Sequence, residues 1–583
     1  MDDSNKADST TKDQAPAVPP AASPTEPSPD KKALAGGKKV WSRRRVSGVT
    51  IPLFSLRTER SWGIGEIGDL PEMASFLAEA GFSLIQLLPL NPISGGETSP
   101  YAALSAFGID PIFISLADVP DLHPADRGAA LGGADGLRLL EKARGAAGVD
   151  YAAVRELKQR ALRFAFEKFI EGDVKRHGLR AAAFNAFVEQ HKEWLRDYAL
   201  FRALKDSFGG KAWWDWSEPL AKRDEKALEE ARSRLEKEVF FHEYQQYLAH
   251  AQWGEACSKA RARGVEVMGD LPFMVGRDSA DVWANQGEFR LDTSVGVPAD
   301  QFDPDGQDWG LPPYAWSVMT KNDFVWLRRR ASYTGVLYDR FRIDHLVGFY
   351  RTYMRPWDDR RNEEGKLVKG VFDPAEEKDQ IEHGKRVISA MIEAASARGG
   401  ALVAEDLGTV PAFVRASLTQ LGVPGYKVLI WEKDYTVKEN PPFIDPLEYP
   451  EISVGCFGTH DTAPVTVWWE GLKEEERAAV KAIPGIADQA ADLGEAFTPA
   501  VHGALLDLIH SSGSELVLLL VQDLLGSRER INTPGTVGEQ NWTYRLPASI
   551  AELRQDRTVQ AIWARVRESI AKGGRAGHEV AGR

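Results

Sequence analysis

Eight apolar, β-rich runs punctuate the chain after residue 48, most of them ending in a polar or Gly/Pro-marked loop. They are VTIPLFSL (49–56), LIQLLPL (84–90), VEVMGDLPF (265–273), VLYDRFRID (336–344), ALVAEDL (401–407), YKVLIWE (426–432), ISVGCFGTHD (452–461) and ELVLLLVQD (515–523). Between many of them lie stretches with helical periodicity, such as DLPEMASFLAEAG (69–81) and GKRVISAMIEAASARGG (384–400). Nearly continuous apolar strands that alternate with helices predict a parallel sheet covered on both faces. Eight of them predict an α/β fold closed into a (β/α)8 TIM barrel, with a doubly wound open sheet as the alternative.

The spacing of the runs is uneven. Between the second and third, YAAVRELKQRALRFAFEKFIEG, HKEWLRDYALFRALKDSF and KALEEARSRLEKEVFFHEYQQYLAHAQWGEACSKARARG carry apolar residues at helical spacing. They predict a large, mostly helical insertion at about 112–260. A second insertion at about 274–335 is rich in Trp, Pro and Gly and reads as loops at the barrel mouth. Residues 1–46 differ in texture. Segments such as QAPAVPPAASPTEPSPDKK bury too little apolar surface to offset their ordering entropy, so a disordered Pro/Ala/Ser-rich tail is expected there, with the catalytic barrel over 47–583.

Charge and composition remove several function classes. A net charge of −13 argues against nucleic acid, whose phosphates need a basic face. Cys257 and Cys456 are the only cysteines and sit in unrelated contexts, which predicts neither a disulfide framework nor a metal site and suits a cytoplasmic protein. No run approaches the roughly 20 apolar residues of a membrane span, and the MDDSNKADSTTKD start lacks a secretory signal. Without an EF-hand loop, an HExxH pair or a Walker motif, no metal and no cofactor are expected.

What remains is a set of acidic residues at strand ends. Asp270 closes the third run, Arg342 and Asp344 the fourth, Glu405 and Asp406 the fifth, His460 and Asp461 the seventh, and Asp523 the eighth. In a parallel barrel these ends converge on one mouth. A single Asp there is often a helix cap or turn former. Strands four, five and seven together would aim three carboxylates at one volume. Acetal cleavage with retention needs one ionised carboxylate as nucleophile and one protonated carboxyl as acid and then base. Arg342 lies two residues before Asp344, on the same side of a strand, and would hold it ionised. Glu405 follows the apolar ALVA, where burial and nearby negative charge would keep it protonated.

These residues fall in stretches that resemble the amylomaltase, or disproportionating-enzyme, family of 4-α-glucanotransferases in the α-amylase superfamily. The stretches run in order from SWGIGEIGDL (61–70), SPYAALSAFGIDP (99–111), WLRDYALFRALK (194–205) and VMGDLPFMVGRDSADVW (267–283) to GVPADQFDPDGQDWGLPPYAW (296–316), RFRIDH (340–345), VAEDLGTV (403–410), GTHDT (458–462) and RINTPGT (530–536). The resemblance implies a transferase that cleaves α-1,4-glucan and passes the glucanosyl fragment to the 4-OH of another glucan or glucose, or cyclises it. It implies Asp344 as nucleophile, Glu405 as general acid/base and Asp461 as the residue that holds sugar hydroxyls. Ser99, Tyr101, Asp270, Gln307, Trp309, Arg342, His460 and Asn532 would bind the glucan, and Asp300 would lie on a mobile loop over the donor site. Two positions depart from the family pattern: Thr462 stands where an Asn is expected, and AALSAF follows Tyr101 where a Gln is expected.

The expected partners are α-1,4-glucans and maltooligosaccharides, with no nucleic acid and no membrane, and the expected state is a monomer or weak homo-oligomer in carbohydrate metabolism. A hydrolase of the same superfamily is the alternative. A non-catalytic glucan-binding barrel is the rival from another class; it would be expected to lack at least one of the three carboxylates.

Overall fold

The computed structural model describes residues 44–299, 306–358, 360–437, 440–536, 538 and 540–575. Eight parallel strands close into a barrel: β1 (Val46–Thr50), β2 (Leu84–Gln86), β3 (Glu266–Leu271), β4 (Arg340–Ile343), β5 (Ala401–Ala404), β6 (Gly425–Val428), β7 (Ser453–Cys456) and β8 (Leu516–Leu520). Each strand pairs with its neighbours in sequence. The ring is sealed where β8 returns to β1, from Val46 opposite Leu516 to Thr50 opposite Leu520.

Alternation along each strand divides the apolar residues between two layers. Val46, Leu84, Met268, Val403, Tyr426, Val454, Cys456, Leu516 and Leu518 fill the interior. Val49, Ile85, Val267, Val517 and Leu519 pack outward under helices that include Leu70–Glu79, Glu236–Ala262, Pro499–His510 and Arg557–Lys572. Phe341, Ile343, Leu402 and Ala404 belong to a second outer cluster, under Val325–Leu337 and Glu377–Ser396. β4 contributes no apolar side chain to the interior; its alternate positions are Arg340 and Arg342.

All eight strands fall within or beside the apolar runs read from the sequence, with one displacement. β1 begins three residues before VTIPLFSL and ends at Thr50, and Leu53–Ser55 turns into a 3-10 helix. Pro52 has no N–H to continue the ladder. Upstream, Arg45 is buried and donates to three backbone carbonyls, His510 O (3.1 Å), Ser512 O (2.8 Å) and Gly573 O (3.1 Å). Arg45 and Val46 are thus part of the barrel, inside the tail boundary at 46 that the sequence predicts. Residues 1–43 of that tail segment lie outside the described residues.

The helical insertion consists chiefly of Ala134–Gly145, Tyr151–Phe169, Leu179–Ser207 and Glu225–Arg234. Glu236–Ala262, read as its last member, also serves as the barrel helix that leads into β3. Its Phe241, Tyr244, Leu248 and Trp253 join the main core, and Trp253 Nε1 donates to Leu337 O at 3.0 Å. The 274–335 segment is less loop-like than its composition suggests. It supplies Thr293–Val297 and Gln307–Asp308 to a four-stranded antiparallel sheet completed by Thr352–Pro356 and Val371–Asp373, and it ends in the helix Val325–Leu337.

Candidate active site

Parallel pairing puts the carboxyl ends of all eight strands at one mouth. Asp270 at the end of β3 stands in register opposite Arg342 on β4. The guanidinium bridges two carboxylates there: Nη1 reaches both oxygens of Asp270 (2.9 and 2.8 Å), and Nη2 reaches Asp344 Oδ1 at 2.9 Å. Burial would ease the proton off Arg342, but the negative charges of Asp270 and Asp344 hold it there more tightly than usual. Burial raises the Asp270 carboxyl, Arg342 opposes the rise and Asp344 adds to it.

Tyr101 ties a third strand end to this pair. Its hydroxyl donates to Asp270 Oδ2 at 2.7 Å and lies 3.0 Å from His460 Nε2, after β7. With the phenol proton committed to Asp270, the hydroxyl is free to accept from the imidazole. The two rings stack with centroids 5.7 Å apart. His460 Nε2 lies 3.3 Å from Asp461 Oδ2, and Asp461 Oδ1 accepts from Asn532 Nδ2 at 2.6 Å. Arg530 fixes the backbone at the same point by donating to Asp461 O at 2.6 Å. The Thr462 hydroxyl is spent locally: it donates to Thr459 O (3.0 Å) and accepts from Thr459 N (3.1 Å), closing the turn.

Glu405, after β5, has different surroundings. Its carboxyl accepts from His345 N at 2.8 Å and Leu407 N at 3.1 Å. His345 adopts a left-handed conformation, φ 43°, which follows the end of β4. Burial pushes the Glu405 carboxyl up to about 8; Arg342 opposes this and the charge on Asp344 adds to it. The His345 imidazole is pushed down to about 4, mainly by burial, and is neutral at pH 7. Its ring lies 4.7 Å from that of Trp309, edge to face, and Trp309 Nε1 donates to Gln307 Oε1 at 2.9 Å.

The predicted residues thus gather at one mouth, with different degrees of connection. Asp270, Arg342, Asp344, Tyr101, His460, Asp461 and Asn532 form one continuous polar network. Glu405 joins it through the backbone of His345, and Gln307 and Trp309 reach it through the ring of the same residue. Ser99 connects only by accepting from Tyr101 N at 3.4 Å. Asp300 lies outside the described residues. Two other strand-end acids are structural: Asp406 accepts from Tyr426 N (2.7 Å) and Asp523 from Val465 N (2.7 Å), both buried. Sequence reasoning missed Trp542, whose ring lies 5.8 Å from Tyr101 and 5.9 Å from His460. Its one signal was an aromatic shortly after RINTPGT. Among the described residues no cluster of three or more His, Cys, Asp or Glu could hold a metal ion, and no helix is long and apolar enough to cross a membrane.

Residues 51–551 match the family model described as 4-alpha-glucanotransferase. The chain belongs to the 4-α-glucanotransferase family. It is accordingly a glycosyltransferase of α-1,4-glucans. A Thermus thermophilus 4-alpha-glucanotransferase is 36% identical over 499 residues, covering 83% of this chain and 92% of the relative. One from Chlamydia pneumoniae is 32% identical over 516 residues, covering 87% and 92%. The solved structure of the Streptococcus agalactiae amylomaltase in complex with acarbose superposes with a TM-score of 0.75 at 27% identity, over 91% of this chain and all of that one.

Proposed function

We propose that this 4-α-glucanotransferase works by double displacement with retention, with Asp344 as nucleophile and Glu405 as acid and then base. One observation carries the assignment: the two carboxyls sit in opposite environments. Asp344 is paired at 2.9 Å with the Arg342 guanidinium, whereas the Glu405 carboxyl is pushed up to about 8 by burial and holds its proton at neutral pH. Asp344 attacks C1 of the donor glucan while Glu405 protonates the departing glycosidic oxygen, and the reducing-end fragment leaves. Glu405, now ionised, takes the proton from the 4-OH of an incoming glucan. That oxygen then attacks C1 and releases Asp344. Attack by the far end of the same chain gives a cyclic glucan.

Asp461, fixed between His460 and Asn532, is proposed to bind sugar hydroxyls more strongly in the transition state. The glucan-binding set is Ser99, Tyr101, Asp270, Asp300, Gln307, Trp309, Arg342, His460 and Asn532. Donor and acceptor are maltooligosaccharides or longer α-1,4-glucans, handled by a monomer or weak homo-oligomer. Both cysteines are free and buried, which supports a reducing, cytoplasmic setting for the barrel of 47–583 and its tail. The test is incubation with maltotriose. A transferase yields glucose and a ladder of longer oligosaccharides; exclusively shorter sugars would assign hydrolysis instead.

A further inference from the structure

Next to the carboxylate network, which Arg530 touches, two cavities share the side chains of Arg57 and Arg545. The larger, about 700 Å³, is also lined by Arg530, Gln540, Thr543 and Tyr544. The smaller, about 300 Å³, is lined also by Arg144. Four guanidiniums therefore line one connected hollow, in a protein whose net charge is −13.

None of the four forms an ion pair among the described residues. Most arginines elsewhere do, such as Arg155 with Asp110, Arg180 with Asp121 and Arg340 with Glu266. The hydrogen bonds these four make go to backbone carbonyls. Arg545 Nη1 donates to Ala143 O, Arg144 O and Ala146 O at 3.2, 3.2 and 2.8 Å, Arg144 donates to Glu59 O, and Arg530 donates to Asn532 O and Asp461 O. Carbonyl dipoles do not cancel these charges, although the charge of Arg57 acts on the nearby Glu552 carboxylate. Arg545 is 5% exposed and its Nε has no partner. Burial, with the charges of Arg57 and Arg144 added, lowers the Arg545 guanidinium to about 10, so the three cations feel one another.

Three carboxylates face the same hollow. Glu552 accepts from Ser549 N and Oγ, and Glu529 accepts from Arg528 N. Glu59 lies on the exposed rim. Four guanidiniums against three carboxylates, none joined to them as an ion pair among the described residues, leave a positive lining that fits a ligand with several charged oxygens, because a guanidinium fork matches phosphate geometry. The hydroxyl and amide groups of the larger cavity suit the remainder of a small polyol.

We propose that Arg57, Arg144, Arg530 and Arg545 form a binding site for a phosphate dianion carried on a small sugar, separate from the glucan cleft. The site has a direct route to the carboxylates, because Arg530 also holds the backbone of Asp461 and Asn532. Occupancy therefore shifts kcat, through Asp461, more than it shifts the KM for the acceptor.

The test is calorimetric titration of the full-length protein with glucose 6-phosphate, inorganic phosphate and glucose at fixed ionic strength. Wild type is expected to bind glucose 6-phosphate saturably at millimolar or lower concentration. Arg57→Gln and Arg144→Gln should each weaken binding about tenfold, the loss of one charge-assisted contact, while turnover without phosphate and the melting temperature stay unchanged. Arg144 lines only the smaller cavity, so its variant remains informative if Arg57→Gln fails to fold. Absence of saturable binding would overturn the proposal. So would binding that survives both substitutions, because it would then reside in the glucan cleft. Inorganic phosphate binding as tightly as the sugar phosphate would overturn the assignment of a sugar-borne ligand.

Discussion

Replacing Glu405 with Gln converts an unusual titration into a measurable stability difference. In the folded chain burial raises this carboxyl from 4.5 to about 8, with Arg342 opposing and Asp344 reinforcing the rise. The folded state thus holds the proton more tightly than the unfolded chain does. The stability contributed is fully present below about pH 4.5 and is lost as pH rises through about 8. At about 1.4 kcal/mol per pH unit, complete linkage over that window would amount to about 5 kcal/mol. Glu405 is partly open to the mouth, and solvent screening brings the figure down to on the order of 2–3 kcal/mol. Gln keeps the size and does not titrate. Its single oxygen can satisfy only one of the His345 and Leu407 N–H groups, at a cost of about 1 kcal/mol. E405Q should therefore be slightly less stable than wild type near the acidic end of the window and more stable, by about 1–2 kcal/mol, above its alkaline end. Urea midpoints of the two proteins at acidic, neutral and alkaline pH, at constant ionic strength, read the difference. A gap between the midpoints that does not change with pH would refute both the raised titration and the acid role built on it.

Four further outcomes follow from named contacts. Asp344→Asn should lower turnover of maltotriose by several orders of magnitude with an unchanged circular-dichroism spectrum, because an amide cannot form the covalent ester. Tyr101→Phe removes the hydroxyl between Asp270 and His460 and should reduce kcat/KM about tenfold, measured as glucose release from maltotriose. Trp309→Ala should raise the ratio of new reducing ends to transfer products, since the ring covers His345 beside the nucleophile; it also packs on the second outer cluster, so a fall of about 1–2 kcal/mol in urea stability should accompany the change. Arg45→Ala should cost about 1–2 kcal/mol by the same measurement, as Gly573 O loses its buried donor while His510 O and Ser512 O keep Arg575.

The barrel was legible because strands buried on both faces write themselves as unbroken apolar runs, and each run led to a strand. The errors have local causes. Val46 and Ser47 are preceded by the basic SRRR, which hides the start of β1, while the apolar run carries on past Pro52 and suggests a later end. The antiparallel sheet was invisible, because DTSVGV has no strong pattern and its partner Thr352–Pro356 is remote in sequence. The three proposed carboxylates are marked in the sequence by their positions at strand ends. Asp406 and Asp523 carry the same signature, and what sets them apart is that both are buried and neither is bonded to Arg342 or its partners. Trp542 depends on a long return of the chain to Tyr101 and His460 that no spacing rule encodes.

The seal between β1 and β8 sets a timetable for synthesis. β1 is made first among the eight barrel strands and finds β2 early, but its other edge has no barrel partner until Leu516–Leu520 is made. At ribosomal rates of about 5–20 residues per second, the wait from Thr50 to Leu516 is roughly 25–90 s. Throughout that interval the nascent sheet presents a row of unsatisfied N–H and C=O groups to any extended chain nearby. Even then the ring is not locked, because Arg575, which donates to Val46 O and Glu515 O, has still to be made. Aggregation during expression should therefore be governed by how long the open edge persists, and chaperone capture of incomplete chains should matter more for this protein than the stability of its finished barrel.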